Sequence, residues 1–318
     1  MHAVRFHEHG GADVLTVDDA ETPDVEPGQV LVDVAAIGVN PVDTYFREGA
    51  YPVPHLPFVP GSDLAGTVVV VGDGVERFEA GDRVYGTGLG NGMSGTYAEE
   101  VAAPADFLAH VPDGVSFEDA AALALVGTTA WQAFVHHAGV EPAETVLVHG
   151  GSGGVGHVAV QLAETMGARV LATASEEFHG DVRALGADEA FDYRRDDLAD
   201  AVTAAGAPDV ILDTHMDRYL QFNADVAATG GRIVGIGNDT GEGGFSNIGV
   251  TKGKELRYQF MTMYNTPEKD AVLTRLASLL ERGDVEPVVH ETYALEDAAE
   301  AQRAVLEDSF LGKLVLTT

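Results

Sequence analysis

A chain of 318 residues, 45% of them hydrophobic, is long enough for two domains with cores of ordinary size. Its 51 acidic residues against 18 basic ones give a formal net charge of -33, which excludes nucleic acid as a partner because phosphates are repelled. With no cysteine there is no disulfide or thiolate metal site, and no apolar run reaches the length of about 18 residues that spans a bilayer, so no membrane insertion is expected.

The start, MHAVRFHEHG, lacks the apolar core of a signal peptide and predicts a cytoplasmic protein. The charge excess predicts a halophilic one, because molar salt shortens the Debye length to about 3 Å and screens the self-repulsion. From Met1 to about Ala122, short apolar runs such as QVLVDVAAIGV, AGTVVVVGDGV and YAEEVAA alternate with turn residues and predict mostly β structure. Pro27-Gly28 and Asp73-Gly74 read as turns, and Gly86 to Gly95 as an exposed loop. His7 and His9 flank Glu8 just before a Gly-Gly turn, a weak arrangement for metal.

From about Leu123 the pattern changes. A helix around Thr128 to His137 is followed by strand VLVH, helix, strand VLAT, helix, a strand near Phe191, strand VILDT, a helix around Leu220 to Ala228 and strand GRIVGIG. That alternation predicts a parallel, doubly wound sheet. After Met261 come a helix over Pro267 to Arg282, a strand at Val288, a helix over Glu296 to Glu307 and the closing strand GKLVLTT. The expected class is therefore α/β, with a β-rich part over residues 1–122 and a doubly wound part over 123–264.

The chemistry is concentrated in VLVHGGSGGVG, residues 146–156. Gly151, Gly153 and Gly156 fit G-x-G-x-x-G, in which the glycines permit a tight turn, close approach to a pyrophosphate and close helix–strand packing. Ser152, Gly154 and Val155 complete the turn and open a helix whose N–H groups point at that pyrophosphate. Gly150, Ser152 and Gly154 also spell the G-x-S-x-G nucleophile elbow of α/β-hydrolases, with Asp213 and His290 following in the required order. Against a hydrolase, the upstream region lacks the alternating strands and helices of that fold. A nucleotide-binding protein without turnover is a third reading. The second strand ends in Thr173-Ala174-Ser175 where NAD enzymes place an acid, so Ser175 favours a 2′-phosphate and NADPH over NADH, although Glu176 and Glu177 follow at once. Gly235, Gly237 and Asn238 close a later parallel strand, where the nicotinamide end is expected.

Further segments extend the pattern: GVNPVDTYFREGAYP at 38–52, PGSDLAG at 60–66, GDRVYG at 81–86, GTYAEE at 95–100, GGRIVGIG at 230–237 and GKLVL near the end. With them the chain resembles, from end to end, the medium-chain dehydrogenase/reductase superfamily, and within it the zinc-free quinone oxidoreductases similar to zeta-crystallin. The resemblance implies a GroES-like first domain of residues 1–122 and 265–318, the latter a C-terminal return, a Rossmann dinucleotide-binding second domain of residues 123–264, and a homodimer. It also implies transfer of reducing equivalents from NADPH to a quinone, or alternatively reduction of an enone or alkenal double bond. Asn40, Ser62 and Asp63 stand where zinc-dependent relatives carry Cys, His and Glu, so no zinc is expected.

By the same resemblance, Asn40 and Asp43 lie beside the nicotinamide, and Tyr45, Tyr51 and Thr129 line the substrate side. Tyr193 with Arg194 closes over the 2′-phosphate, and Lys313 reaches the cofactor. The residues alone also allow plainer roles: Tyr45 and Tyr51 packing under a Pro-rich loop, Thr129 bonding backbone in a helix, Asp43 capping a turn, and Lys313 as a solvated strand residue. His136 and His137 face different sides of any helix. His215 and Met216 either touch the cofactor or fill space.

Overall fold

Alternating apolar residues form the first strands of the computed structural model, which describes residues 1–318. In chain order these are β1 (His2–Phe6), β2 (Leu15–Asp19) and β3 (Gln29–Val39), an eleven-residue run rich in β-branched side chains. Helix α1 (Pro41–Glu48) follows at once, with proline in its first turn and Gly49 ending it at φ 82°. Next come β4 (Leu64–Val71), β5 (Arg83–Gly86), β6 (Glu100–Pro104) and β7 (Leu108–His110). Helix α2 (Phe117–Trp131) starts where Ser116 Oγ accepts the Asp119 N–H at 3.0 Å.

The pattern then turns strictly to strand and helix: β8 (Thr145–Val148), α3 (Gly154–Thr165), β9 (Arg169–Ala174), α4 (His179–Ala184), β10 (Glu189–Asp192), α5 (Leu198–Ala205), β11 (Val210–Asp213), α6 (Met216–Val226), β12 (Arg232–Gly235), α7 (Ile248–Gly253) and β13 (Arg257–Phe260). The chain closes with α8 (Lys269–Arg282), β14 (Val289–Ala294), α9 (Ala298–Glu307) and β15 (Lys313–Thr317).

Two units result, Met1–Thr128 with Pro267–Thr318, and Thr129–Thr266. In the first, a largely antiparallel sheet has the order β14-β15-β3-β4-β5-β7, with β6 also paired to β3 and β1 paired to β2 in a separate ribbon. The C-terminal strand β15 pairs directly with β3, Leu314 opposite Val39, so the end of the chain completes the sheet begun by its start. In the second unit all six strands are parallel, in the order β10-β9-β8-β11-β12-β13. Counted within the unit this is 3-2-1-4-5-6, the order of dinucleotide-binding sheets, with its switch point between β8 and β11. Leu147, Leu171, Ile211 and Ile233 fill its core.

The structure departs from the sequence expectation at two helices. α1 lies where β structure or a loop was expected, because over only eight residues its apolar spacing is limited to Val42, Tyr45 and Phe46, while Asp43, Thr44 and Arg47 are buried beside Phe46. α2 begins eleven residues before the expected helix at Thr128, and the expected boundary at 122 falls inside it. Its Ala- and Leu-rich turns are buried on every side and give no one-faced periodicity to read. A π-helical stretch, Gln132–Ala138, then carries the chain on to Gly139.

Candidate active site

The apolar strand β8 delivers His149 and the glycine turn to the C-terminal edge of the parallel sheet. Gly150 takes φ +68°, and its carbonyl accepts the Gly153 N–H at 2.9 Å. A Cβ added at Gly156 stands 1.9 Å from the Gly150 oxygen, and one at Gly151 stands 2.9 Å from the Ala172 side chain, so both positions are glycine because the protein's own packing requires it. Gly153 is different. It has ordinary extended backbone, φ -73° and ψ 175°, and an added Cβ meets nothing nearer than the Gly150 oxygen at 3.4 Å. The chain itself makes no demand for glycine there. Next to it, the first N–H groups of α3, from Gly154, Val155 and Gly156, have no carbonyl within their own helix. An open cradle of backbone donors at a helix N-terminus suits a pyrophosphate, with Ser152 on its rim.

The other expected cofactor residues of this unit emerge along the same edge. β9 and β10 pair in register, Ala174 opposite Asp192, so Ser175 and Tyr193 leave adjacent strands one residue later. Tyr193 is exposed, with the Arg194 guanidinium 5.2 Å from its ring centre. Arg194 is held by Asp192 through bonds of 3.0 and 3.1 Å. Gly237 follows β12, its carbonyl accepting the Met216 N–H, and a Cβ there stands 2.4 Å from the Thr214 oxygen. Asn238 is exposed and its amide donates to Thr240 within its own turn. Met216 fills the space over Gly235, where an added Cβ would lie 2.0 Å from its sulfur. Thr129 is buried in α2.

In the first unit the expected residues gather in a buried polar cluster. Lys313, only 3% exposed, donates from Nζ to Asn40 Oδ1 at 2.7 Å and to the Val39 carbonyl at 2.5 Å. Asn40 Nδ2 donates to Asp63 Oδ2 at 2.8 Å and to the Gly38 carbonyl at 3.1 Å. Asp43 Oδ2 accepts the Asn40 backbone N–H at 2.9 Å, closing the first turn of α1, and the Tyr97 hydroxyl at 3.1 Å. Both ends of the Asn40 amide and the Lys313 ammonium are thus engaged inside this unit. Tyr45 and Tyr51 stand nearby in sequence with rings edge to face at 5.8 Å, and Tyr51 is 42% exposed.

Two buried carboxylates share one buried ammonium. Burial, with the Asp63 charge adding to it, raises the Asp43 carboxyl well above the ordinary range; burial raises Asp63 to about 6, opposed by Lys313 and Asn40. Burial also lowers Lys313, against the pull of both aspartates. A carboxyl whose folded pKa is raised favours folding fully below its unfolded value, and that contribution is lost as pH rises through the folded value. Lys313→Met, which removes the cation, is therefore expected to cost about 3–5 kcal/mol at pH 8. The deficit should shrink toward pH 5 as the carboxylates take up protons. Chemical denaturation in molar KCl at the two pH values checks it, and a pH-independent deficit contradicts the shared-charge account.

The hydrolase triad does not form within either unit. Ser152 and Asp213 belong to the second, where Asp213 is committed to Asn223 and to the His215 N–H; His290 belongs to the first, stacked on Phe310 at 5.2 Å.

Sequence reasoning passed over His149, Asn223 and Tyr97. A histidine placed directly between an apolar strand and a glycine turn is the one signal that marks the first of them; Asn223 and Tyr97 carry no local mark, because their partners are distant in the chain.

A parallel sheet of this order with its glycine turn, in one chain with a largely antiparallel unit closed by the C-terminal strand, defines the medium-chain dehydrogenase/reductase class of oxidoreductases. Residues 26–113 match the alcohol dehydrogenase GroES-like domain and residues 185–316 the zinc-binding dehydrogenase family. The chain is 36% identical to the quinone oxidoreductase of Rattus norvegicus over 99% of its own length and 97% of that protein's. It superposes on a crystal structure of an NAD-dependent alcohol dehydrogenase with TM-score 0.94 at 34% identity, and on Escherichia coli quinone oxidoreductase complexed with NADPH with TM-score 0.90 at 30% identity, covering the whole of both chains in each case. The chain belongs to the quinone oxidoreductase family of that superfamily.

The second matched family is described as zinc-binding, so the donor set bears on whether this chain holds the metal. Asn40 has no free amide end, Ser62 offers a hydroxyl, Asp63 is hydrogen-bonded to Asn40, and the Lys313 ammonium stands 2.7 Å from Asn40 Oδ1. No thiolate or imidazole joins them, and a buried ammonium opposes a dication. These residues do not fit zinc.

Proposed function

We propose that this protein is an NADPH-dependent, zinc-independent quinone reductase. The observation that carries the reading is Gly153, a glycine that no contact within the protein requires, at the helix N-terminus on the switch point of a dinucleotide-binding sheet. The bound form of the Escherichia coli relative, complexed with NADPH, and the name of the rat relative support the cofactor and acceptor.

In this reading the turn from Gly151 to Gly156 holds the pyrophosphate with backbone N–H groups, and Ser152 adds a hydroxyl. Ser175 donates to the 2′-phosphate, while Tyr193 covers it and Arg194, delocalised and always charged, offsets Glu176 and Glu177. Gly237 and Asn238 bound the nicotinamide end. When bound, the reduced cofactor supplies reducing equivalents to an acceptor that is already electrophilic. Tyr45 and Tyr51 offer it an aromatic face and a hydroxyl that donates to a carbonyl oxygen. Asn40, Asp43 and Lys313 act by holding the β3–α1 junction that carries those tyrosines, and Thr129 contributes its hydroxyl on the substrate side.

Calorimetric titration in molar KCl is expected to show binding of NADPH at least about tenfold tighter than NADH, a difference of about 1.4 kcal/mol. Turnover of a benzoquinone should exceed that of an enone under the same conditions. Binding of neither nucleotide ends the reading; NADH preference moves the cofactor assignment, and enone preference moves the acceptor.

A further inference from the structure

Four buried polar side chains that the proposed reaction does not use run in one line from the sheet to the glycine turn. Asp213, Asn223 and His149 are fully buried, and Thr173 is 2% exposed. Asn223 Nδ2 donates to Asp213 Oδ2 at 2.7 Å, while the other Asp213 oxygen accepts the His215 N–H at 2.8 Å. His149 Nε2 lies 2.9 Å from Asn223 Oδ1, its Nδ1 lies 3.3 Å from Thr173 Oγ1, and Thr173 Oγ1 accepts the Gly150 N–H at 3.2 Å.

The chemistry of the groups gives this line one direction. An ionised Asp213 accepts only, so Asn223 must turn its NH₂ toward it and its carbonyl oxygen toward His149. That oxygen can be met only by a donor, which puts the His149 proton on Nε2 and leaves Nδ1 as an acceptor. The Thr173 hydroxyl must then donate to Nδ1, and its lone pair is left for the Gly150 N–H. Burial depresses the His149 pKa to about 4, so the ring stays neutral and the direction does not reverse near neutrality. Tyr219 stacks on the imidazole at 4.3 Å and 6°, fixing its plane, and Thr214 Oγ1 holds the His149 carbonyl from the other side.

We propose that the Asp213, Asn223, His149 and Thr173 relay is a positioning device for the cofactor, holding the Gly150 peptide in the one orientation around which the pyrophosphate turn closes. Gly150 is where such a hold is needed. The relay fixes the N–H end of the His149–Gly150 peptide and Thr214 its carbonyl end, and Gly150, at a positive φ that suits glycine, carries that orientation on to its own carbonyl, which receives the Gly153 N–H and faces Gly156. With its N–H end released, that peptide is held at the carbonyl end alone and moves among orientations of which one presents the N–H cradle, and affinity falls with the fraction of time that cradle exists.

The inference rests on the reading of the turn as a dinucleotide site, and the test separates the two. Thr173→Val keeps the shape of the side chain and removes the hydroxyl; Thr173→Ser restores it. For Thr173→Val, calorimetry in molar KCl is expected to show NADPH affinity lower by about tenfold, with kcat at saturating NADPH within twofold of wild type. Thr173→Ser should recover the affinity. Asn223→Leu should weaken NADPH in the same direction, since it leaves His149 without its orienting acceptor. Independently of any variant, the 15N shifts of the His149 ring should report a neutral Nε2–H tautomer at pH 7. Wild-type protein that binds no nucleotide overturns the dinucleotide reading. Wild-type binding that Thr173→Val leaves unchanged, or a proton found on Nδ1, overturns the relay alone, because a merely structural role lowers the melting temperature without moving affinity.

Discussion

Gly153→Val is expected to leave the protein folded and to weaken NADPH binding about 100-fold, about 2.8 kcal/mol at 1.4 kcal/mol per tenfold. The backbone at this position, φ -73° and ψ 175°, is ordinary for a β-branched residue, and the first added atom meets only the Gly150 oxygen at 3.4 Å, so the thermal midpoint should move little. In the dinucleotide reading, the side chain takes up space that the pyrophosphate needs at the N-terminus of α3. A pyrophosphate kept an ångström or two further out loses the short charge-assisted bonds that make a helix N-terminus an anion site. Gly153→Ala should fall between wild type and valine. The opposite control is Gly156→Ala, whose Cβ stands 1.9 Å from the Gly150 oxygen and must distort the turn itself, lowering stability and affinity together. Calorimetry paired with thermal melts, both in molar KCl, separates the two behaviours. NADPH bound by Gly153→Val as by wild type would mean that the pyrophosphate does not approach here.

The two classes of glycine also explain what was legible in the sequence. The strand, glycine turn, helix and strand from Val146 to Thr173 announce themselves because fully buried parallel strands are continuous apolar runs and because glycines mark each close approach. α1 was hard to see for the opposite reason: it is eight residues long, its apolar spacing stops at Val42, Tyr45 and Phe46, and it buries Asp43 and Arg47, which read as surface residues. Lys313 reads either as a surface strand residue or as one that reaches the cofactor until β15 is paired with β3, which turns it under Asn40, 273 positions earlier in the chain. The relay was illegible for a related reason, since Thr173, His149 and Asn223 come from three separate elements and only the sheet order brings them into line. Local pattern finds groups that meet through sequence spacing, and these meet through topology.

The second large effect expected is loss of the fold in dilute buffer and its recovery in molar KCl. With 51 acidic residues against 18 basic ones, repulsion acts across the whole surface when the Debye length is about 30 Å at 0.01 M salt, and is confined to immediate neighbours when it is about 3 Å at 1 M. Surface ion pairs pull the other way, since salt weakens them, but they are minor here. Exposed pairs are each worth about 0–1 kcal/mol, and several of these, Arg194 with Asp192, Arg195 with Asp197 and Arg282 with Asp284, join residues two apart and hold no tertiary structure. Net repulsion should therefore win, and the thermal midpoint should climb steeply from 0.01 M to molar KCl. NADPH affinity should climb with it, the reverse of the usual salt response of a phosphate ligand, because an anionic cofactor approaching a strongly acidic protein gains more from screening than its local contacts lose. Mild acidification in dilute buffer supplies the check on cause: lowering pH toward 5 neutralises part of the charge, including Asp63 and Asp213, both raised by burial to about 6, and should recover part of the stability without salt. A midpoint that rises with KCl but not with acid would assign the effect to stronger apolar burial in salt, and a midpoint independent of KCl would remove the halophilic reading altogether.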